Sequence, residues 1–417
     1  MRIRIIVFLS MILLLACHFA SSILSSTETA DGTATTVVEP SPTESASAVP
    51  VQPCPISPSQ SQLDETASLE EMPSAILDYL NSGGDLENLV LSLELLSMVT
   101  TTLPPRIEDD FTGDGYLDIL LVLQDPEPEF MLPSGTTILY QCQSNQYRIA
   151  YQSAISKEWG APTIYSSADL NSDTLDDLLI GRQSCGAHTC YEQVEVLSWN
   201  GATLVNLLEG SSEDMPSPII EAFPDENLIQ VTAQGIGSVG AGPFRSFVRR
   251  WIWDIVTASF LPTPDEFLPS PFRIHKLHDA DHAVNDGEYD QALALYTMVI
   301  EDDELQDWGD PVTEREVLSA YASFRMIHTH LLMGDSASAE TVQSELLSNY
   351  PPGSMGYDFA QMGEVFWTEY QATSEVNSAC ITAQAYANSH QETIIDALYF
   401  GYANPVYTAE DICPTLN

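Results

Sequence analysis

Residues 110–122 read DFTGDGYLDILLV, an acidic loop that runs straight into an apolar stretch. Oxygen-bearing side chains stand at its first, third, fifth and ninth positions, Asp110, Thr112, Asp114 and Asp118, with Gly115 among them. A hard cation such as calcium takes about six to eight oxygen ligands, and donors at this spacing supply most of them. A small calcium cage leading into a strand is therefore expected. An EF-hand is excluded, because the twelfth position is Leu121 rather than glutamate.

The pattern returns 59 residues later, where Asp169, Asn171, Asp173 and Asp177 stand in register with the first set. Leu178, Leu179 and Ile180 then match Ile119, Leu120 and Leu121. Self-similarity at a fixed interval points to a repeated supersecondary unit, and two loops in register argue against an isolated solvated turn. A third copy starts at Asp225, Glu226 and Asn227 ahead of Leu228, without the ligand spacing. Each copy closes on a hairpin pattern: residues 138–151 across Ser144 and Asn145, 194–207 across Asn200 and Gly201, and 247–260 across Asp254.

These residues resemble the FG-GAP or VCBS-type repeats of integrin-like propellers and bacterial surface proteins. The specific part is D-x-[NT]-G-D-G-x-x-D followed by a strand, as it stands from Asp110 to Asp118. The resemblance covers residues 105–262. It implies calcium held by Asp110, Thr112, Asp114, Asp118 and the carbonyl of Tyr116. In the second copy it implies Asp169, Asn171, Asp173, Asp177 and the carbonyl of Leu175. That copy departs from the family by placing Thr174 where glycine is wanted, and the third has lost the ligands. Three β-meander repeats packed as a partial propeller or open β domain are expected.

Pro262, Pro264, Pro269 and Pro271 make residues 263–272 the best linker in the chain, and beyond them the apolar period changes from strand-like to helical. Gly287 to Ala292, followed by Leu295, Tyr296 and Val299, resembles half of a tetratricopeptide repeat. The frame recurs at Gly334, Ala339 and Leu346, closing with Pro351, and more weakly at Ala379, Ala383 and Tyr386. The resemblance implies an all-α helical-repeat solenoid over residues 273–417 and a protein or peptide partner on its concave face. Residues 63–104 show two short helical patterns, read as a cap on the β repeats. The fold class expected is multidomain α+β.

At the N-terminus, Arg2 and Arg4 precede a short apolar run ending in Leu14-Leu15-Ala16-Cys17. That is the layout of an export signal, and its end resembles the bacterial lipobox. The resemblance implies a signal over residues 1–16, lipidation of Cys17 and attachment to a membrane through that lipid. Residues 17–62 are a Ser/Thr/Pro-rich stretch read as a disordered tether. The expected location is the cell envelope, outside the cytoplasm. Of the chain's 7 cysteines, the rest are expected to form disulfides there. Cys185 pairs with Cys190 and Cys380 with Cys413, which leaves Cys54 and Cys142. His188, between Cys185 and Cys190, invites a zinc reading, yet that segment offers too few ligands.

Asp and Glu total 60 against 13 Lys and Arg, a formal net charge of -47. Such a surface repels phosphate backbones and attracts divalent cations, so no nucleic-acid partner is expected. Residues 235–240 form a literal GxGxxG, but a strand-like segment follows where a dinucleotide site needs a helix, so a flexible connection is expected. His275, His278 and His282 fall at helical spacing, with His328 and His330 further on, and read as surface histidines in the absence of HExxH. No nucleophile is paired with a base and no G-x-S-x-G elbow occurs, so no catalytic residue is assigned. The expectation is a non-catalytic, calcium-supported envelope scaffold or adhesion module, the alternative an envelope hydrolase or solute-binding component.

Overall fold

The computed structural model describes residues 51–99, 105–129, 131–210 and 214–415. The signal, Cys17 and the tether as far as residue 50 lie outside the described residues. Two short helices, α1 (Met72–Asn81) and α2 (Leu86–Leu95), come first. Asp85 caps α2 by accepting a hydrogen bond from the Asn88 amide, and Pro73 opens α1, so both starts are locally encoded.

Three antiparallel meanders follow. The first runs β1 (Arg106–Asp109), β2 (Asp118–Gln124), β3 (Gly135–Gln143) and β4 (Gln146–Gln152) in spatial order. The second runs β5 (Thr163–Ala168), β6 (Asp177–Cys185), β7 (Cys190–Trp199) and β8 (Leu204–Asn206), with β9 (Met215–Pro216) added beside β7. The third runs β10 (Ile219–Phe223), β11 (Leu228–Ala233), β12 (Phe247–Asp254) and β13 (Ser259–Pro262), with β14 (Glu266–Phe267) added beside β12. The three expected hairpins are β3–β4, β7–β8 and β12–β13. The sheets are meander-like and do not close into a ring.

Alternate side chains of a strand point to opposite faces, and here both faces are covered. On β2, Ile119, Leu121 and Leu123 pack with Met72, Ile76 and Leu89 of the two helices. Leu120 points the other way and meets Leu178 and Ile180 of β6. Leu179, on the far face of β6, packs with Ile229, Val231 and Trp251 of the third sheet. The helices and the three sheets are thus stacked in chain order, and the near-continuous apolar runs after each acidic loop serve two cores at once. Each fully buried leucine contributes about 2 kcal/mol.

Residues 51–62 are not part of a free tether. Cys54 is bonded to Cys142 on β3, and Gln52 pairs with the backbone at Tyr116. A disulfide spanning 88 residues restricts the unfolded chain over a long loop, which makes this the strongest of the three covalent restraints on entropic grounds. The other two, Cys185–Cys190 and Cys380–Cys413, join the expected partners. Disulfides of this kind belong to an oxidising compartment. Among the described residues no helix is long and apolar enough to cross a membrane.

The C-terminal region is helical: α3 (Arg273–Asn285), α4 (Tyr289–Glu301), α5 (Pro311–Leu332), α6 (Ser336–Asn349), α7 (Tyr357–Thr373), α8 (Val376–Ser389) and the single turn α9 (Ala409–Ile412). The first six form successive helical hairpins. Ala292, Tyr296, Val299, Ala339, Leu346, Ala379 and Ala383 all enter one core, where small residues let the helix axes approach. Gly287 and Gly334 take φ of 78° and 77° at the turns after α3 and α5, a conformation glycine adopts without steric penalty.

The linker and the GxGxxG segment are both fixed rather than flexible. Glu266 and Phe267 extend the third sheet, and Phe272 bridges to Gln306. Residues 235–245 form the seam on which the helical region sits: the Tyr402 amide donates to the Gly240 carbonyl at 3.2 Å and the Ala403 amide to Ala241 at 3.1 Å. Arg245 pairs with Asp279 of α3. At Gly242, φ is 78° and a Cβ would land on the Phe400 carbonyl oxygen, so glycine is needed there for both reasons. Gly242→Ala should destabilise the chain by about 2 kcal/mol or more, whereas Gly235→Ala, with only ordinary contacts around it, should stay within about 0.5 kcal/mol. Thermal melts of the two variants side by side check this.

Candidate metal centre

The first acidic loop is shaped by backbone amides donating inward to its own carboxylates. Asp110 accepts from the Asp114 amide at 3.0 Å and the Gly115 amide at 2.8 Å, and Asp114 from the Tyr116 amide at 3.1 Å. Asp118, fully buried at the start of β2, accepts from the amides of Thr112 at 3.1 Å and Cys142 at 2.9 Å. Gly113 and Gly115 hold φ of 71° and 87°, which lets the chain fold back on itself within one turn. The buried Phe111 pins the loop to the core between the first and second sheets.

Two buried oxygens face no donor. The Thr112 hydroxyl has no hydrogen-bond partner, and neither has the Gln141 carbonyl oxygen, although the Gln141 amide nitrogen donates to Asp114 at 3.3 Å. Leaving such atoms unpaired costs about 1 to 3 kcal/mol each. No cationic side chain is paired with Asp118 among the described residues. Burial above all, opposed by the Cys142 amide and the Thr112 side chain and helped by the charges of Asp114 and Asp110, pushes its carboxyl up to about 7. A buried carboxylate without a counter-charge beside unpaired oxygens is the chemistry a hard cation satisfies, so the donor set fits calcium. Gln141 lies across the hairpin from Asp118, as the pairing of Ile119 with Tyr140 dictates. It is a candidate ligand that sequence spacing alone does not reveal; the register of the following hairpin would have.

The second loop repeats the frame with different contents. Asp169 accepts from the amides of Asp173 and Thr174 at 3.1 and 3.0 Å, and Asp173 from that of Leu175 at 2.9 Å. Ser172 and Thr174 take φ of 63° and 78° where the first loop has glycines. The buried Asp177 accepts from the Leu170 amide at 3.0 Å, and burial first of all, then its acidic neighbours, pushes it up to about 6. Here the Asn171 amide nitrogen fills the interior, reaching Asp173 at 3.1 Å, Asp177 at 3.4 Å and Ser198 at 3.3 Å. Ser198 is the counterpart of Gln141 across its own hairpin. This loop is internally neutralised by hydrogen bonds to a degree the first is not.

The loops lie side by side. Gly113 packs on Leu175, and Ser172 meets Asn227 of the third copy at 3.0 Å. Asn227 itself has φ of 49° after a short 3-10 turn, so the third copy keeps the bend and loses the carboxylates. Between the first two loops, Asp176 is raised by burial and by the facing carboxyl of Asp109. Among the described residues, only His328, Cys380 and Cys413 bring three ligand atoms of His, Cys, Asp or Glu within 4.8 Å of one another, and those two sulfurs are bonded together. No three carboxylates of either acidic loop come that close together.

The remaining sites are placed as follows. His275, His278 and His328 are buried, not on the surface, because α3 and α5 turn those faces towards the seam and the helical core. Cys185–Cys190 closes its loop as a disulfide, and the His188 carbonyl accepts from the Gly237 amide at 3.2 Å. No family model matches the chain, and neither any curated protein nor any solved structure was found to resemble it.

Two outcomes follow. A carboxyl raised in the folded state stabilises below its unfolded value and loses that stabilisation as the pH climbs through the folded one. In chelator, the melting temperature should therefore fall as pH rises from about 4 to about 7, the window set by Asp118 and Asp177; a flat profile there contradicts it. Thr174→Gly removes a β-branched side chain from a left-handed position and should raise stability by roughly 1 kcal/mol, measured by denaturant titration.

Proposed function

We propose that this is a non-catalytic, lipid-anchored protein of the cell envelope. Its β repeats are supported by structural calcium in the first loop, and its helical hairpins bind a protein or peptide. The observation that carries the calcium assignment is the buried Asp118 carboxylate, which has no cationic partner among the described residues and faces, across its hairpin, Gln141 with its unpaired side-chain oxygen. Asp110, Thr112, Asp114, Asp118 and the Tyr116 carbonyl would hold the ion, with Gln141 as a further donor. Its effect would be to draw the open carboxylates together. The second loop, already filled by the Asn171 amide, would bind more weakly. The envelope location is supported by the export-type N-terminus and the disulfides, the repeat assignments by resemblance to FG-GAP and tetratricopeptide sequences.

The test is thermal melting of the full chain in calcium and in chelator. Calcium should raise the melting temperature, and Asp114→Ala should abolish the gain while leaving the melt in chelator nearly unchanged. Identical curves with and without calcium in the parent chain overturn the assignment.

A further inference from the structure

Two adjoining cavities form a cleft, a polar lobe within the helical region and an apolar lobe where that region meets the third sheet. One, of about 410 Å³, is bordered by His278, Arg325, Tyr407 and Glu410. The other, of about 290 Å³, is mostly apolar and walled by Phe244, Phe247 and Phe267. His278, His282 and Pro405 border both. Cavities of roughly this size and mixed lining are those that take small ligands.

The polar lobe has a built floor. Asp281 accepts hydrogen bonds from Tyr296, from Tyr321 at 3.2 Å and from Tyr407 at 2.7 Å, and lies 3.4 Å from the Arg325 guanidinium. Its charge is fully met. Arg325 is 1% exposed and donates from Nη1 to the carbonyls of Asp411 and Ile412, but among the described residues neither Nη2 nor Nε has a hydrogen-bond partner. His278 is 7% exposed, and its Nε2 is likewise unpartnered. Burial, followed by the charges of His275, His282 and Arg245, pushes this imidazole down to about 3, so at neutral pH it is uncharged. The guanidinium nitrogen can only donate and is best served by a carboxylate, and the neutral imidazole of the same lobe, in the tautomer protonated at Nε2, offers a second donor.

A bare anion would sit badly in this chain, beside Asp281 and the exposed Glu410 on a surface already at -47. A ligand that also carries a positive group removes that objection. We propose that the cleft binds a small zwitterion with an aromatic or large aliphatic side chain, of the free amino acid class. Its carboxylate faces Arg325 and His278, its ammonium faces Glu410, and its side chain occupies the phenylalanine-walled lobe. The proposal does not depend on calcium in the acidic loops, and its test is run with and without that ion.

Isothermal titration of the full chain with phenylalanine and with leucine provides the test, alongside 3-phenylpropionate, which lacks the ammonium, and phenethylamine, which lacks the carboxylate. At least one amino acid should bind saturably, and both truncated compounds should be roughly tenfold weaker or worse. Phe267→Ala and Glu410→Gln alter partly exposed side chains, so both should fold, as a melt will verify. Each should weaken the amino acid by about tenfold, and Glu410→Gln should leave 3-phenylpropionate unaffected. No saturable binding of either amino acid, truncated compounds binding as tightly as the whole, or affinities that neither substitution moves would each overturn it.

Discussion

The β part is organised around a buried carboxylate at the mouth of a central strand. Asp118 and Asp177 are both fully buried, and the residues after them must point to two cores in alternation. Moving either acid out to solvent would slip the register by one and turn every leucine behind it to the wrong face. The acid therefore stays inside, and its charge has to be met locally. Backbone amides supply part of the compensation in both loops. Beyond that the loops differ: the second brings in the Asn171 amide, while in the first the Gln141 side-chain oxygen is left without a hydrogen-bond partner among the described residues. Two copies of one frame thus differ in how far the chain's own hydrogen bonds satisfy the interior.

The chain has few cations with which to balance its acids, and several of these are held inside. Arg273 is fully buried, binding Asp307 and the carbonyls of Val299 and Asp302. Arg325 ties α5 to the chain at Asp411 and Ile412, and Arg182 reaches the Ser153 hydroxyl and the Ala154 carbonyl. A guanidinium has enough donors to satisfy several carbonyls at once, which suits it to joining elements that do not share a ladder. With those arginines turned inward, the surface acids are left largely uncompensated. Screening by salt and association of divalent ions then act on the whole body as well as on the loops.

Much of this was legible in the sequence because it is local and periodic. The two acidic loops, their strands, the closing hairpins and the first helices follow from spacing, and the packing positions Ala292, Tyr296, Ala339 and Leu346 from the resemblance to a tetratricopeptide frame. What escaped depends on distant segments meeting. His275 and His278 look like residues on an acidic helix until residues 235–245 are laid against α3. The GxGxxG run reads as slack chain until Gly242 is found against the Phe400 carbonyl. Gln141 and Ser198 enter the candidate centre from the facing strand, so no pattern within the loop can name them. Residues 51–62 have the composition of a tether, and the bond from Cys54 to Cys142 together with the pairing of Gln52 at Tyr116 shows that they are bound to the first sheet unit.

That bond also bears on how force or restraint reaches the acidic loop. Whatever precedes residue 51 joins the folded body beside the first candidate centre, not at a free end of the sheet. The Gln52 amide donates to the Gly115 carbonyl at 3.0 Å, and the Leu117 amide donates to the Gln52 carbonyl at 2.8 Å. Two residues on, Cys54 is bonded to Cys142, whose own amide donates to Asp118. The entering segment therefore grips the loop from outside while the same cysteine pair steadies its innermost carboxylate. Tension along that segment meets the Gln52 hydrogen bonds to Gly115 and Leu117 first and then the covalent link into β3, which is flanked on both sides by strands, so that beyond Cys54 the load bypasses the edge strand β1.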